Sequence, residues 1–263
     1  MMVYTVSAFY ALEPFSAEQR QSWREELLTW NEPHLSGLVI LAPDGVNATV
    51  GADEKTLARV EDWFRQHLSR SPHFKHSYSA VRPFRRWKVY LRKETVTTGG
   101  RLGSSHPETG THVDAQQWNA LLQDPGAVVI DVRNDYEISM GRFPNAIDPG
   151  TRSFSDFADF VSRAQLPRDQ KILTYCTGGI RCEKAVPYLR SLGYEQVYQL
   201  QGGILQYLER FPGKTGTFEG ECFVFDDRVA LDDQLQPSLT YIKCTRCGQP
   251  AQRASQLCPA CLG

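Results

Sequence analysis

The chain has 263 residues, 41% of them hydrophobic and 22% charged, which is long enough for roughly two domains with an apolar core and ordinary in balance for a globular protein. A net charge of −1 excludes nucleic-acid binding by overall attraction and leaves that role to a local patch, while an odd count of seven cysteines argues against a disulfide-framed secreted domain. No stretch approaches the length that crosses a bilayer, and no basic segment precedes the apolar residues of Met1 to Phe15; together these point to a cytoplasmic protein.

Residues 1–95 read as one domain. Val3 to Tyr10 is apolar enough for a strand, and Ser16 with Gln19 three places on forms a capping box for a helix that runs to about Trp30. Leu38 to Ala42 and Val46 to Val50 flank Pro43-Asp44-Gly45, a hairpin turn signal. Asp53 can cap a second helix with Leu57, Val60, Phe64 and Leu68 at helical spacing, and Trp87 to Arg92 alternates as a final strand. The order βαββαβ is ferredoxin-like, an α+β arrangement. His73 and His76 fall in a loop and are expected to face solvent.

Arg82, Arg85, Arg86, Lys88, Arg92 and Lys93 lie within twelve residues that contain no acid, interleaved with Phe84, Trp87 and Tyr90. Cations for phosphates beside rings for exposed bases are what single-stranded RNA recognition uses. The plainer reading is a solvated basic strand with Trp87, Val89 and Leu91 turned to the core; both can hold at once.

Residues 96–112 form a linker or ordered surface loop, with Thr97 to His112 rich in Gly, Ser and Thr. From residue 113 to 212 the pattern is α/β. Ala127 to Ile130 is a strand closed by Asp131, and Arg133 and Glu137, four apart, can pair near the site or brace the domain. Bracing suits Asp131, and Arg133 stays a candidate substrate contact. Lys171 to Tyr175 is a short buried strand, and Glu183 to Leu192 is a helix closed by Gly193.

The run Cys176-Thr177-Gly178-Gly179-Ile180-Arg181-Cys182 therefore joins a strand to a helix N-terminus. Inward-facing amides and the helix dipole there favour an anion and acidify a thiol, so Cys176 is expected to be a thiolate nucleophile. Phosphate-handling cysteine loops use Cys-x5-Arg, whereas this one is Cys-x4-Arg, a tighter ring that suits a single sulfur better than a phosphoryl group. A merely packed cysteine would explain neither the glycine pair nor the arginine. Cys222 stands alone and is expected to pack or sit idle near the surface.

Residues 213–263 make a small tail. Cys244-x2-Cys247 and Cys258-x2-Cys261, ten residues apart and with Gly248 after the first pair, can surround one Zn²⁺ in a closed structural site. A tail this small builds no core of its own, so a metal would supply the folding energy. A reduced, partly disordered tail and redox-active CxxC pairs are the alternatives.

Asp131-Val132-Arg133, Glu137, Gly141 to Ala146 (GRFPNA), the Cys176 loop and Gln201-Gly202-Gly203-Ile204 resemble a rhodanese domain in order and spacing. That resemblance implies a doubly wound α/β domain with the cysteine loop at the C-terminal ends of parallel strands and, in rhodaneses, a persulfide on the matching cysteine. Arg142 stands where many sulfurtransferases carry histidine.

Leu41 to Ala48 (LAPDGVNA), Lys88 to Thr95 (KVYLRKET), Arg133 to Glu137 (RNDYE), Cys176 to Lys184 (CTGGIRCEK) and Phe223 to Arg228 (FVFDDR) resemble the rhodanese-homology tRNA uridine hydroxylases over nearly the whole chain. That resemblance implies an oxygen-dependent, tRNA-modifying oxidoreductase that converts the wobble uridine to 5-hydroxyuridine. The N-terminal domain and zinc tail would position a tRNA anticodon loop over Cys176. The implied catalytic set is Cys176, Arg181 and Cys182, with Thr177, Gly178, Gly179, Ile180, Arg133, Arg85, Arg86 and Lys88 on the substrate. Cys176 would add to uracil C6, and Cys182 would resolve an oxidised Cys176 or only pack. No dinucleotide glycine motif or two-His-one-carboxylate site in the sequence names the oxygen source. A persulfide-forming sulfurtransferase using thiosulfate or a protein donor, and a noncatalytic RNA-binding protein, are the rival readings.

Overall fold

The computed structural model describes residues 3–103, 111–213 and 215–262, so positions 104–110 of the expected linker lie outside the described residues. The chain divides into two units: one runs to Thr97 and takes back Asp226–Arg228, and the other comprises Thr98–Phe225 and the residues from Val229 onward.

The first unit contains β1 (Tyr4–Ala11), α1 (Ala17–Leu28), β2 (Ser36–Ala42), β3 (Gly45–Ala52), α2 (Glu54–His67), β4 (Lys75–Ser79) and β5 (Trp87–Leu91). Its sheet has the order β4-β1-β3-β2-β5. Pairing is antiparallel throughout except between β2 and β5, which run parallel. The first four strands have the ferredoxin-like order, and the strand expected to complete it, Trp87 to Arg92, is instead a fifth at the edge. The true fourth strand is β4, and its inward residues Lys75, Ser77 and Ser79 are buried but polar, so it carries no apolar alternation to read.

Helix starts are where the caps place them: Ser16 and Gln19 exchange hydrogen bonds at α1, and the Asp53 carboxylate accepts from Thr56 N at α2. The helices bury Trp23, Leu27, Leu57, Val60 and Phe64 against Phe9, Val39 and Val50. Phe9 and Phe64 meet edge to face at 4.7 Å, a geometry that adds roughly 0.5–1.5 kcal/mol beyond area burial. At the β2–β3 turn Gly45 has φ +144°, and a Cβ there would stand 2.1 Å from Ala11 O, so only glycine fits. Asp44 and Asn47 beside it tie down the chain leaving β5: Thr95 N–H and Oγ1 donate to the Asp44 carboxylate at 2.9 and 3.0 Å, and Asn47 Nδ2 donates to Thr95 O at 3.2 Å.

The second unit runs β6 (Thr111–Val113), α3 (Ala115–Leu121), β7 (Ala127–Asp131), α4 (Asp135–Ile138), β8 (Gly141–Arg142), α5 (Phe157–Ala164), β9 (Lys171–Tyr175), α6 (Cys182–Ser191), β10 (Val197–Leu200) and α7 (Gly203–Arg210). Short pieces follow: β11 (Glu219–Gly220), β12 (Cys222–Phe223), β13 (Ala230–Leu231), β14 (Tyr241–Lys243), β15 (Pro250–Gln252) and α8 (Pro259–Leu262). The main sheet, β6-β10-β9-β7, is wholly parallel, and its central strands β9 and β10 bury Ile172, Leu173, Tyr175, Val197 and Leu200 with Thr174 and Gln199 as polar positions among them. Trp118, Phe143 and Tyr175 form an aromatic cluster at one face, with centroids 4.8 to 5.8 Å apart. The parallel order puts the C-terminal ends of β7 and β9 side by side, Asp131 opposite Tyr175. Among the described residues no helix is long and apolar enough to cross a membrane.

Candidate active site

Cys176 follows the last residue of β9 and is wholly buried. The loop is turned so that Gly179, at φ +100°, donates its N–H to Cys176 Sγ at 3.1 Å. Its carbonyls face the other way: Ile204 N–H donates to Cys176 O and Leu205 N–H to Thr177 O, both at 3.0 Å, from the first turn of α7. Gly203 is what lets α7 approach so closely, because a Cβ there would stand 2.4 Å from Cys176 O and 2.8 Å from Gly179 N. The Gln201-Gly202-Gly203-Ile204 run thus sorts the loop's dipoles, donors inward and acceptors outward.

Burial by itself pushes the Cys176 thiol up. A hydrogen bond from the Cys182 thiol, the Arg181 charge and the amides of Arg181 and Gly179 outweigh it and bring the thiol down to about 6. Cys182 is driven well upward, first by burial and then by the neighbouring thiolate. Near neutrality the pair therefore holds one proton, on Cys182.

Arg181 does not face the sulfur as a free cation. Its Nη1 and Nη2 donate to Glu137 Oε2 and Oε1 at 2.6 and 2.8 Å, and Nη2 also donates to Thr177 Oγ1 at 3.3 Å. Glu137, on α4, is wholly buried and accepts from Asn134 N as well; burial raises its carboxyl, but Arg181 outweighs burial and holds it below its ordinary value. Arg181 thus sets the charge beside the loop while Glu137 fixes where that charge sits.

The expectation for Arg133 needs correction. Its guanidinium is wholly buried and fully engaged, with Nε and Nη2 on the Asp131 carboxylate, Nη2 on Gly141 O and Nη1 on Glu137 O. No surface is left for a substrate, and the carboxylate expected to pair with it belongs to Arg181. Asp131 braces, as its place at the end of β7 suggested.

In the loop, Cys176, Thr177, Gly179, Arg181 and Cys182 are buried together, and Gly178 and Ile180 reach the surface in part. Arg85, Arg86 and Lys88 belong to the first unit and are exposed. There Trp87 is spent, its indole N–H donating to Leu27 O at 2.7 Å, whereas Tyr90 is exposed with the Arg92 guanidinium 4.8 Å from its ring centroid. His76 lies in β4 rather than a loop, 2.6 Å from Glu61. Cys222 is in the interior, not near the surface, and burial pushes its thiol up to about 12. A cleft of about 360 Å³ in the second unit is lined by Ile138 to Arg142, Asp148, Glu219 and Gly220, with no residue of the cysteine loop.

In the tail, the sulfurs of Cys244, Cys247, Cys258 and Cys261 all lie within 4.8 Å of one another. A tetrahedral zinc with bonds of about 2.3 Å sets sulfurs roughly 3.8 Å apart, so this set could hold a metal ion. Gly248, at φ +78°, donates to Cys244 O at 2.9 Å and turns the first pair. Sequence spacing identified this cluster; it gave no sign of Glu137 as the partner of Arg181 or of Gly203 as the seat of the loop.

Residues 114–210 match the family described as Rhodanese-like domain, and residues 4–95 match the UPF0176 acylphosphatase like domain. Fold and site together define a rhodanese-like protein with an acylphosphatase-like domain ahead of it. The chain is 39% identical to the tRNA uridine(34) hydroxylase of Wolbachia pipientis subsp. Culex pipiens over 94% of its own length and 87% of that protein. Identity to the tRNA uridine(34) hydroxylase of Legionella pneumophila is 41%, covering 88% and 91% of the two chains, and to that of Synechocystis sp. 38%, covering 99% and 96%. The chain belongs to the tRNA uridine(34) hydroxylase family.

Proposed function

We propose that this protein hydroxylates C5 of the wobble uridine of tRNA, giving 5-hydroxyuridine, with Cys176 as nucleophile. The observation that carries the reading is the seat of Cys176 in an amide-lined loop, where its sulfur accepts the Gly179 N–H at 3.1 Å and Arg181 and the Cys182 thiol favour the thiolate. It stands in a chain about two-fifths identical, over most of its length, to proteins named for that reaction. The electron pair of the Cys176 thiolate forms a bond to uracil C6, and the pair displaced from the C5–C6 double bond gives C5 carbanion character. C5 takes an oxygen atom from a two-electron donor of the peroxide class, whose O–O bond breaks. Loss of the C5 proton with cleavage of the S–C6 bond then restores the ring and the thiolate. Cys182, holding the pair's one proton, donates a hydrogen bond to the thiolate in the resting state, and the Gly179 amide stabilises the same charge.

Arg85, Arg86 and Lys88 contact tRNA phosphates, which suits an acid-free, exposed segment in a chain of net charge −1. Cys244, Cys247, Cys258 and Cys261 hold zinc, whose binding would supply folding energy to a tail with little core beyond Ala251 and Leu257. A cytoplasmic location follows from the substrate.

Cells lacking the gene and complemented with Cys176→Ser should lose 5-hydroxyuridine and its derivatives, while Cys222→Ser should retain them. Exact-mass nucleoside analysis is required, because adding oxygen and exchanging oxygen for sulfur give the same nominal mass. A Cys176-dependent product retarded on a mercury gel would replace hydroxylation by sulfur transfer; a product indifferent to Cys176 would remove both.

A further inference from the structure

One aromatic ring beside the cysteine loop is held without being buried. In Phe223-Val224-Phe225 the first two residues are buried, whereas Phe225 is 58% exposed. Phe223 packs edge-on against Tyr136 at 5.3 Å and receives Phe225 edge-on at 4.9 Å and 88°. From another direction the Arg181 guanidinium carbon stands 5.7 Å from the Phe225 ring centroid. Single exposed apolar side chains are ordinary and carry no message. Phe225 differs because both its neighbours are themselves fixed, Phe223 in a buried cluster and Arg181 in the buried fork with Glu137. The ring is preorganised, it keeps much of its surface open, and it touches the arginine that closes the Cys176 loop.

Chemistry on a base requires that base to leave its stack, and the flanking bases lose a neighbour when it does. Unpaired bases in RNA loops are held on aromatic faces, the surface that Phe225 leaves open while Arg181 stays buried beside it. We propose that Phe225 is a stacking platform for an anticodon-loop base adjacent to the target uridine, holding it while the uridine turns toward the cysteine loop. The proposal rests on the tRNA reading above. A phenyl ring offers a face and no hydrogen-bonding group, so the contact is indifferent to which base it takes.

The test compares full-length wild type with Phe225→Ala, Phe225→Leu and Phe225→Tyr for binding of a labelled anticodon stem-loop RNA across a range of salt. Alanine and leucine should each weaken binding about tenfold, the scale of one lost base–aromatic stack, and tyrosine should bind like wild type. The slope of affinity against salt should not change, because no phosphate contact is lost. Equal binding by all four proteins, wild-type binding by leucine, or a changed slope in the alanine variant would each overturn the platform while leaving the tRNA reading intact. Failure of wild type to prefer the stem-loop over a duplex of equal length, with no 5-hydroxyuridine made in cells, would overturn the tRNA reading and the platform with it.

Discussion

The Cys176–Cys182 pair and the four tail cysteines put the same atom to opposite uses. In the Cys176 loop, both sulfurs are wholly buried, Cys176 is acidified while Cys182 keeps its proton, and the Arg181 charge beside them is held in place by Glu137 from α4. In the tail, Cys247 is exposed, Cys261 partly so, and four sulfurs crowd within 4.8 Å with hardly any apolar support. The first arrangement spends a folded core on making one sulfur acidic; the second uses sulfur in place of a core. What separates them is the scaffold around the thiol: a parallel sheet and two helices at Cys176, a two-stranded hairpin at the tail.

The sharpest way to break this contrast is to remove one sulfur from each group. Cys176→Ser should abolish 5-hydroxyuridine formation in cells and leave bound zinc at one per chain by metal analysis. Cys258→Ser should strip the metal and unfold the tail, because a closed tetrahedral site does not survive loss of a thiolate. The Cys176 thiolate, followed by its ultraviolet absorbance, should persist in that variant. Loss of zinc in Cys176→Ser would show that the groups are not independent.

Next in size is the ion pair that distinguishes the Cys176 loop. Glu137→Ala leaves the Arg181 charge buried without its carboxylate and should cost about 3–5 kcal/mol of stability in urea unfolding, whereas an exposed pair such as Arg59–Glu32 should cost under about 1 kcal/mol. Glu137→Gln keeps the shape and removes the negative charge, so the Cys176 titration should move further down. An upward movement would show that Glu137 holds the loop by geometry rather than by charge.

A smaller effect sharpens the contrast by pH. The difference in thiolate absorbance between wild type and Cys176→Ser should titrate near 6, below the roughly 8.5 of a free cysteine. Because the folded value is the lower one, the stabilisation is fully present above about 8.5 and is lost as pH falls through about 6. Cys182→Ala removes the donated hydrogen bond and should raise the midpoint. The smallest effect lies outside both groups: Arg85→Ala with Arg86→Ala should weaken tRNA binding and flatten its salt slope by up to about 0.7 per lost contact, with the fold unchanged by circular dichroism.

Local features were legible in the sequence. The Ser16–Gln19 box, the Asp53 cap and the strand, loop and helix around Cys176 each depend on residues a few places apart, and each is found where spacing put it. Features set by distant partners were not. In β4 the buried Ser77 accepts from Arg228, 151 positions away, and no periodicity encodes that. Arg133 and Glu137 stand at helical spacing, yet Glu137 reaches Arg181, 44 positions on, because the parallel pairing of β7 with β9 brings α4 to the loop. Charge pairs within a buried site follow topology, and a linear reading assigns them to the nearest opposite sign.

The return of Asp226–Arg228 to the first unit bears on how the chain can be divided. Arg228 is held by Asp226 in a bidentate fork, donates to Ser77 Oγ at 2.8 Å and is joined by Asp227 N–H on Pro83 O at 2.7 Å. A fragment ending at Thr97 contains every strand of that sheet but leaves the β4 edge without these partners. Limited proteolysis between Thr97 and Thr111 should therefore nick the protein without releasing a stable N-terminal piece. RNA-binding measurements made on such a fragment would report a sheet with one margin undone.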